Sequence, residues 1–265
     1  MTDKPPAKRP LLILPPRTPW RDGFPDVVIH TALVERDSHP HYEAAKAGDG
    51  VAALTLSQDL LTGSAIDTLR CLVSELDPIL LPITALEIAG FNAIPDAMAQ
   101  ILAHELGWRV SKSEIVQNNR VGHTRARAFN RIVTPASFEG PVVLGADYVL
   151  VDDHVGLGGT LANLRGHVEA RGGRVVAMTT LTESREARHI ALQPDALDML
   201  KEQHGEGLEN LWQEQFGHGL DCLTNVEGGV LRREQTLESV RDRLAQAAVE
   251  ASVRGLVPRI EDRQS

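Results

Sequence analysis

The segment YVLVDDHVGLGGTLANLRGHVEARGGRVVAMTTL, Tyr148 to Leu181, narrows the choice of fold more than any other part of the chain. An apolar run ends in Asp152 and Asp153. The turn Gly156–Leu157–Gly158–Gly159–Thr160 follows, then a helix starting near Thr160, then a second apolar run. Two apolar strands joined through a helix must lie parallel in one sheet, and such a sheet must be covered by helices to bury both faces. An earlier stretch, PILLPITAL followed by EIAGFN and a helix from about Ile94 to Leu106, repeats the order. The expected fold is therefore α/β, a central parallel sheet flanked by helices in a Rossmann-like three-layer core.

The rest of the chain adds helices at both ends. Residues 1–25 hold seven prolines and several basic residues, which predicts an extended arm. DVVIHTALV is consistent with a strand. From Ser38 the pattern is helical, interrupted at Gly48–Asp49–Gly50, and SAIDTLRCLVSEL continues at helical spacing. Residues 108–140 read as irregular or hairpin-like. We expect a core over 26–182 and a mainly helical cap or hood over 183–265.

In open parallel sheets ligands sit beyond the carboxyl ends of the strands, which is where Asp152 and Asp153 fall. Glycines at the start of a helix expose amide hydrogens toward its positive end and form a phosphate cradle. Acids directly ahead of that cradle would repel a bare anion. They suit a ligand that carries hydroxyls one sugar's width from its phosphate, as ribose 5-phosphate does. A dinucleotide-binding turn would place its acid about 20 residues after the glycines, a P-loop requires a lysine, and a methyltransferase turn spaces its acid differently. An ordinary strand-to-helix turn is the remaining alternative, disfavoured because adjacent aspartates at a buried strand end are costly without a partner.

The stretch VLVDDHVGLGGTL resembles the PRPP-binding motif of the type I phosphoribosyltransferases. Over about residues 78–182 the order of elements is also similar to that family. The resemblance implies an enzyme, a glycosyltransferase of nucleotide metabolism. It would use 5-phosphoribosyl 1-pyrophosphate (PRPP) and Mg2+ held mainly through PRPP, transfer the phosphoribosyl group to a nucleobase or related nitrogen acceptor, and release pyrophosphate. It also implies that Asp152 and Asp153 hold the ribose hydroxyls and that Gly156, Leu157, Gly158, Gly159 and Thr160 surround the 5′-phosphate. The chain departs from the pattern at Leu157, where the family carries a hydroxyl, and at Gly156, where some members carry an aspartate. His154 is a candidate substitute for that acid, with a packing role as the alternative.

Glu87, Ile88, Ala89, Gly90 and Phe91 are similar in placement to the family's pyrophosphate loop. Between the two loops Arg109, Lys112, Arg120, His123, Arg125, Arg127 and Arg131 accumulate with Glu114 as the only acid. The family has a closing loop here that brings cations to pyrophosphate, and Arg120, Arg125 and Arg127 are the candidates for that catalytic role. A solvated loop or a local nucleic-acid contact are the other readings of the run. The net charge of −9 argues against general affinity for nucleic acid or anionic membrane. No apolar stretch reaches the ~20 residues of a spanning helix. Cys71 and Cys222 are too far apart in sequence to suggest a metal pair, which fits a reducing cytoplasm. His39 and His41 lack a clear third ligand, and Trp212 and Phe216 form a packing pair at helical spacing. A homodimer is expected. Three functions stay open: the transferase, a non-catalytic PRPP or nucleotide sensor on the same fold, and an unrelated α/β enzyme using Asp153 as its base.

Overall fold

The structure is a computed structural model that describes residues 14–84, 86, 87, 90–111, 115–119 and 128–253. In chain order, β1 (Val28–Ile29) leads into the short helices α1 (Leu33–Asp37) and α2 (Tyr42–Lys46), then α3 (Gly50–Leu60) and α4 (Gly63–Leu72). The Asp49 carboxylate accepts the amides of Val51 and Ala52, so the Gly48–Asp49–Gly50 break is where α3 is capped. Strand β2 (Ile79–Pro82) precedes the short strands β3 (Leu86–Glu87) and β4 (Gly90–Phe91). Helix α5 (Ile94–Leu106) begins with Pro95 in its first turn and ends on Gly107 in the left-handed conformation.

Next come β5 (Arg109–Val110), β6 (Val116–Gln117), α6 (Ala128–Val133) and β7 (Phe138–Glu139). The long strands β8 (Asp147–Val155) and β9 (Arg174–Glu183) flank α7 (Gly159–Glu169). Helices α8 (Pro194–His204), α9 (Glu206–Phe216), α10 (Asn225–Arg232) and α11 (Leu237–Val253) complete the described chain.

Five strands form the main sheet in the order β1–β9–β8–β2–β5, every pairing parallel. The expected architecture is therefore present: a central parallel sheet with helices on both faces. Strand β8 alternates its side chains between two cores. Val149 and Val151 join Leu56, Leu69, Ile94, Met98 and Leu102 of α3–α5, whereas Tyr148 and Leu150 join Leu161, Leu164 and Val168 of α7. A third cluster, including Leu200, Leu208, Trp212, Leu231 and Leu244, is built by α8–α11 and takes in Ile132 and Leu157.

Two local expectations differ from the structure. DVVIHTALV forms only a two-residue strand before α1, because the chain turns into the helices that cover the sheet. In the segment after Trp108 the hairpin-like reading fits the antiparallel β6–β7 pair, whereas the edge strand and the helix among its described residues were not expected. The segment supplies the edge strand β5, the β6–β7 antiparallel pair and helix α6. Pairing partners distant in sequence decide those elements, and local periodicity does not record them.

Residues 14–24 contain no helix or strand and lie across α7. Arg165 of that helix donates to the carbonyls of Thr18 at 2.9 Å and Pro19 at 2.6 Å, and its guanidinium stacks on Trp20, 4.3 Å from the ring centre. The indole of Trp20 donates to the Leu223 carbonyl at 2.6 Å. Gly166 makes this crossing possible, since a β-carbon there would lie 1.9 Å from the Pro16 carbonyl oxygen. We expect Gly166→Ala to displace the segment and lower stability by about 1–3 kcal/mol. Thermal melting and limited proteolysis at residues 14–24 check this; an unchanged melt with unchanged cleavage would mean that the crossing is not tightly packed.

Candidate functional site

The chain leaves β2 through α5 to reach β5 on one side, and leaves β8 through α7 to reach β9 on the other. These crossovers run in opposite directions, so a crevice opens between the carboxyl ends of β2 and β8. Strand β2 stops at Pro82, opposite Val151, while β8 continues to Val155 paired only with β9. Asp152 and Asp153 are thus strand residues, not loop residues. They lie beyond the end of one neighbour and beside the other, with Asp152 opposite Thr180.

Alternation starts the two side chains from opposite sides of the strand, yet at its end the two carboxyls interact with each other. Asp153 shares the side of Val151 and is buried. Its Oδ2 accepts from Lys46 Nζ, at the end of α2, at 2.8 Å. Asp152 shares the side of Leu150, and its Oδ1 accepts the Asp153 amide at 2.8 Å. Burial opposes charge on Asp153, but Lys46 outweighs it and holds the carboxyl below its ordinary value. Burial and the neighbouring Asp153 charge together push Asp152 well above the usual carboxylate range. A carboxylate paired with Lys46 beside a carboxyl whose ionisation is opposed offers closely spaced oxygens to the hydroxyls of a ligand.

His154 is committed elsewhere. Its ring nitrogens lie 2.9 Å from Thr182 Oγ1 and 2.9 Å from Ser184 Oγ, so they tie β8 to β9. Burial and the Arg36 charge push its pKa down to about 4. The ring is neutral near pH 7 and has no free nitrogen to offer as a base.

Beyond Val155 the chain turns through Gly156 and Leu157 into α7. Gly158 is the N-cap at φ +80°, a conformation that favours glycine, and a β-carbon there would sit 3.1 Å from Thr224. Thr224 Oγ1 donates to the Leu157 carbonyl at 2.5 Å. The buried Glu227 carboxylate lies against Gly159 and accepts from Arg17 at 2.6 and 2.9 Å. The side chain of Leu157 faces the cluster of α8–α11 and anchors the turn to the C-terminal helices. Arg17, Arg131, Leu157, Gly159, Thr160, Asn163 and Glu227 line a cavity of about 20 Å³ at this turn. Among the described residues no group of three or more His, Cys, Asp or Glu is placed to hold a metal ion.

The segment after β2 is a short hairpin, with Glu87 paired to Gly90 and Leu86 to Phe91. It differs in form from a bare strand-to-helix turn. Phe91 is partly exposed, and its carbonyl would lie 3.0 Å from a β-carbon at Gly48, so the hairpin abuts the end of α2 that carries Lys46. Ile88 and Ala89 lie outside the described residues, as do Lys112, Arg120, His123, Arg125 and Arg127. Arg109 stands at the start of β5 opposite Ile79, at the far end of the sheet, where it pairs with Asp77. Arg131 of α6 is at the site, with its guanidinium against Gly156. Sequence reasoning did not single out Lys46, Arg17, Thr224 or Glu227 for this site. Each reaches it from a distant element; Thr224 and Glu227 form the capping box that starts α10, a local pattern that marks a helix start and not this site.

No family model matches the chain. It is 40% identical over 235 residues to the protein TraN of Escherichia coli, a match covering 89% of this chain and 52% of that protein. An uncharacterized protein of Haemophilus influenzae strain KW20 is 39% identical over 152 residues, covering 57% of this chain and 34% of that protein. The chain therefore spans about half the length of the first relative and a third of the second. A solved structure of UMP synthase from Leishmania donovani aligns with 75% of this chain and 34% of its own, at 16% identity and a TM-score of 0.31, a likeness too slight to argue from. No helix among the described residues is long and apolar enough to cross a membrane.

The raised Asp152 carboxyl gives a prediction with a definite sign. Between its ordinary value and its raised folded value the folded state holds a proton that the unfolded chain has lost, so stability falls as pH rises through that window. Asp152→Asn is expected to raise the melting temperature at pH 7, by about 2–4 °C for each kcal/mol relieved, and to have no such effect near pH 3. A melting temperature equally unchanged at both pH values would show that Asp152 is not held protonated. Leu157→Thr is expected to cost about 2–4 kcal/mol in urea unfolding, through lost packing and a buried hydroxyl; a cost under about 0.5 kcal/mol would show that the side chain is not a core residue.

Proposed function

We propose that the crevice between β2 and β8 binds a phosphorylated ribose, PRPP with its Mg2+, and that the chain is a phosphoribosyltransferase. The observation that supports this most directly is the Asp152–Asp153 pair. It sits at a topological switch point, has Lys46 on Asp153, and stands directly ahead of a glycine turn at the start of α7. Asp153, kept ionised by Lys46, accepts from one ribose hydroxyl, and Asp152 meets the other. The turn's amides, which have no acceptors within the first turn of α7, face the 5′-phosphate. Mg2+ arrives with the substrate, bound to pyrophosphate, and adds to the cations offered by the Arg120, Arg125 and Arg127 segment.

In the reaction, an acceptor nitrogen forms a bond to C1 of the ribose while the bond from C1 to the pyrophosphate oxygen breaks. Pyrophosphate leaves with the electron pair, and the acceptor nitrogen gives up its proton to solvent. Rate enhancement comes from fixed charges around the departing group and the developing positive charge on the sugar. The acceptor is a nucleobase or a related nitrogen heterocycle.

A second reading, a PRPP or nucleotide sensor without turnover, is favoured by three observations. Leu157 is given over to core packing, the Glu227 carboxylate lies beside the turn, and His154 has no free nitrogen to act as a base. Both readings require the same ligand. Calorimetric titration with PRPP and Mg2+, against ribose 5-phosphate for comparison, is expected to show binding that needs the pyrophosphate and the metal. Asp152→Asn with Asp153→Asn should weaken it more than about 100-fold, the loss of charge-assisted bonds to two hydroxyls. Unchanged affinity in that double variant, with its fold confirmed by melting, would remove the ribose assignment. Release of pyrophosphate on adding a nucleobase separates the enzyme from the sensor.

A further inference from the structure

We propose that Arg131 is the side chain that binds the ligand's phosphate at the Gly156–Thr160 turn, replacing the hydroxyl that Leu157 withholds. This rests on the reading of the turn as a phosphate site. Arg131 lies at the end of the basic segment, on α6, whose neighbour Ile132 is locked into the C-terminal cluster together with Leu157. Its guanidinium nitrogens would come within 3.0 and 3.3 Å of a β-carbon at Gly156, so the first glycine of the turn leaves the space that the guanidinium fills. A side chain at that position, such as the aspartate of other sequences, would have to displace it.

The second observation is the state of that guanidinium. It is largely buried, yet Nε is buried with no hydrogen-bond partner, and among the described residues Arg131 is in no ion pair. Glu227 and Asp152 are near enough to favour its charge, but Arg17 takes both Glu227 oxygens, and the Asp153 amide takes Asp152 Oδ1. A desolvated cation that lacks a partner is unfavourable, and an anionic oxygen restores the loss. Arg131 also lines the 20 Å³ cavity with Thr160 and Asn163. That volume admits about one water-sized atom, enough for one phosphate oxygen, while the rest of the group stays over the turn's amides. The planar fork of arginine suits such an oxygen-rich anion better than an ammonium does.

The test is titration of the full chain with inorganic phosphate and with ribose 5-phosphate, followed by 15N NMR of the Gly156, Gly158 and Gly159 amides and the Arg131 Nε–H. In the wild type both ligands are expected to shift the turn amides and the arginine resonance together. Arg131→Met should weaken ribose 5-phosphate binding about 10- to 100-fold, and Arg131→Lys should recover only part of it. Melting of each variant checks that the fold is kept. Equal affinity in wild type and Arg131→Met would overturn the assignment to Arg131 while leaving the phosphate turn intact. Shifts of the turn amides and of Arg131 with phosphate but none with ribose 5-phosphate would keep Arg131 and remove the phosphoribosyl reading. No shift with either ligand would remove both.

Discussion

Two adjacent carboxyls at the end of a covered strand oppose each other's ionisation. This constraint shapes the region around β8. The conflict is divided, not avoided: Lys46 reaches Asp153 from α2 across 107 residues of sequence, and the Asp152 carboxyl is pushed well above the usual carboxylate range. The short helices before β2 are therefore more than a cover for the apolar face, because one of them delivers the charge that makes the strand end tolerable. An apolar pair in place of the acids would pack with less difficulty, and hydrophobic replacements of buried charges are often neutral or stabilising. The retained pair is the part of the core that packing alone does not explain.

The glycine turn is held from two directions. Thr224 and Glu227 come to it from the C-terminal helices, and Arg17 comes from the proline-rich segment to close a bidentate pair with Glu227. Arg17 also donates to Asn163 of α7 at 2.6 Å, so the helix, the segment and the C-terminal layer share one polar knot. Its members are buried, and bonds between charged partners in such surroundings are stronger than exposed ones. The turn is consequently preorganised, with little freedom to rearrange around a ligand.

The fold could be read from the chain because its signals are local. The apolar runs at Ile79 and Asp147, the helix from Ile94 to Leu106 and the turn leading into α7 all obey short-range periodicity and glycine chemistry. Asp152, Asp153 and the turn were legible for the same reason. Leu157 was legible as a departure but not in its purpose, since only the packed C-terminal helices show what it touches. Strand β5 and helix α6 were obscured because their partners lie far away in sequence. Lys46 and Arg17 carry no local mark, the capping box of Thr224 and Glu227 marks only a helix start, and three-dimensional closure alone brings them to the site.

The Thr224–Leu157 bond spans 67 residues and the Arg17–Glu227 pair 210. On a ribosome, β8 and the turn are made well before the groups that fasten them, so for several seconds at ordinary elongation rates Leu157 has no core to enter and Arg17 no carboxylate to meet. The sheet can assemble in that interval, but the glycine turn cannot. Maturation of the turn is thus timed by the synthesis of α10, and a chain that stalls before Asn225 would carry the acids and glycines of the candidate site without their geometry.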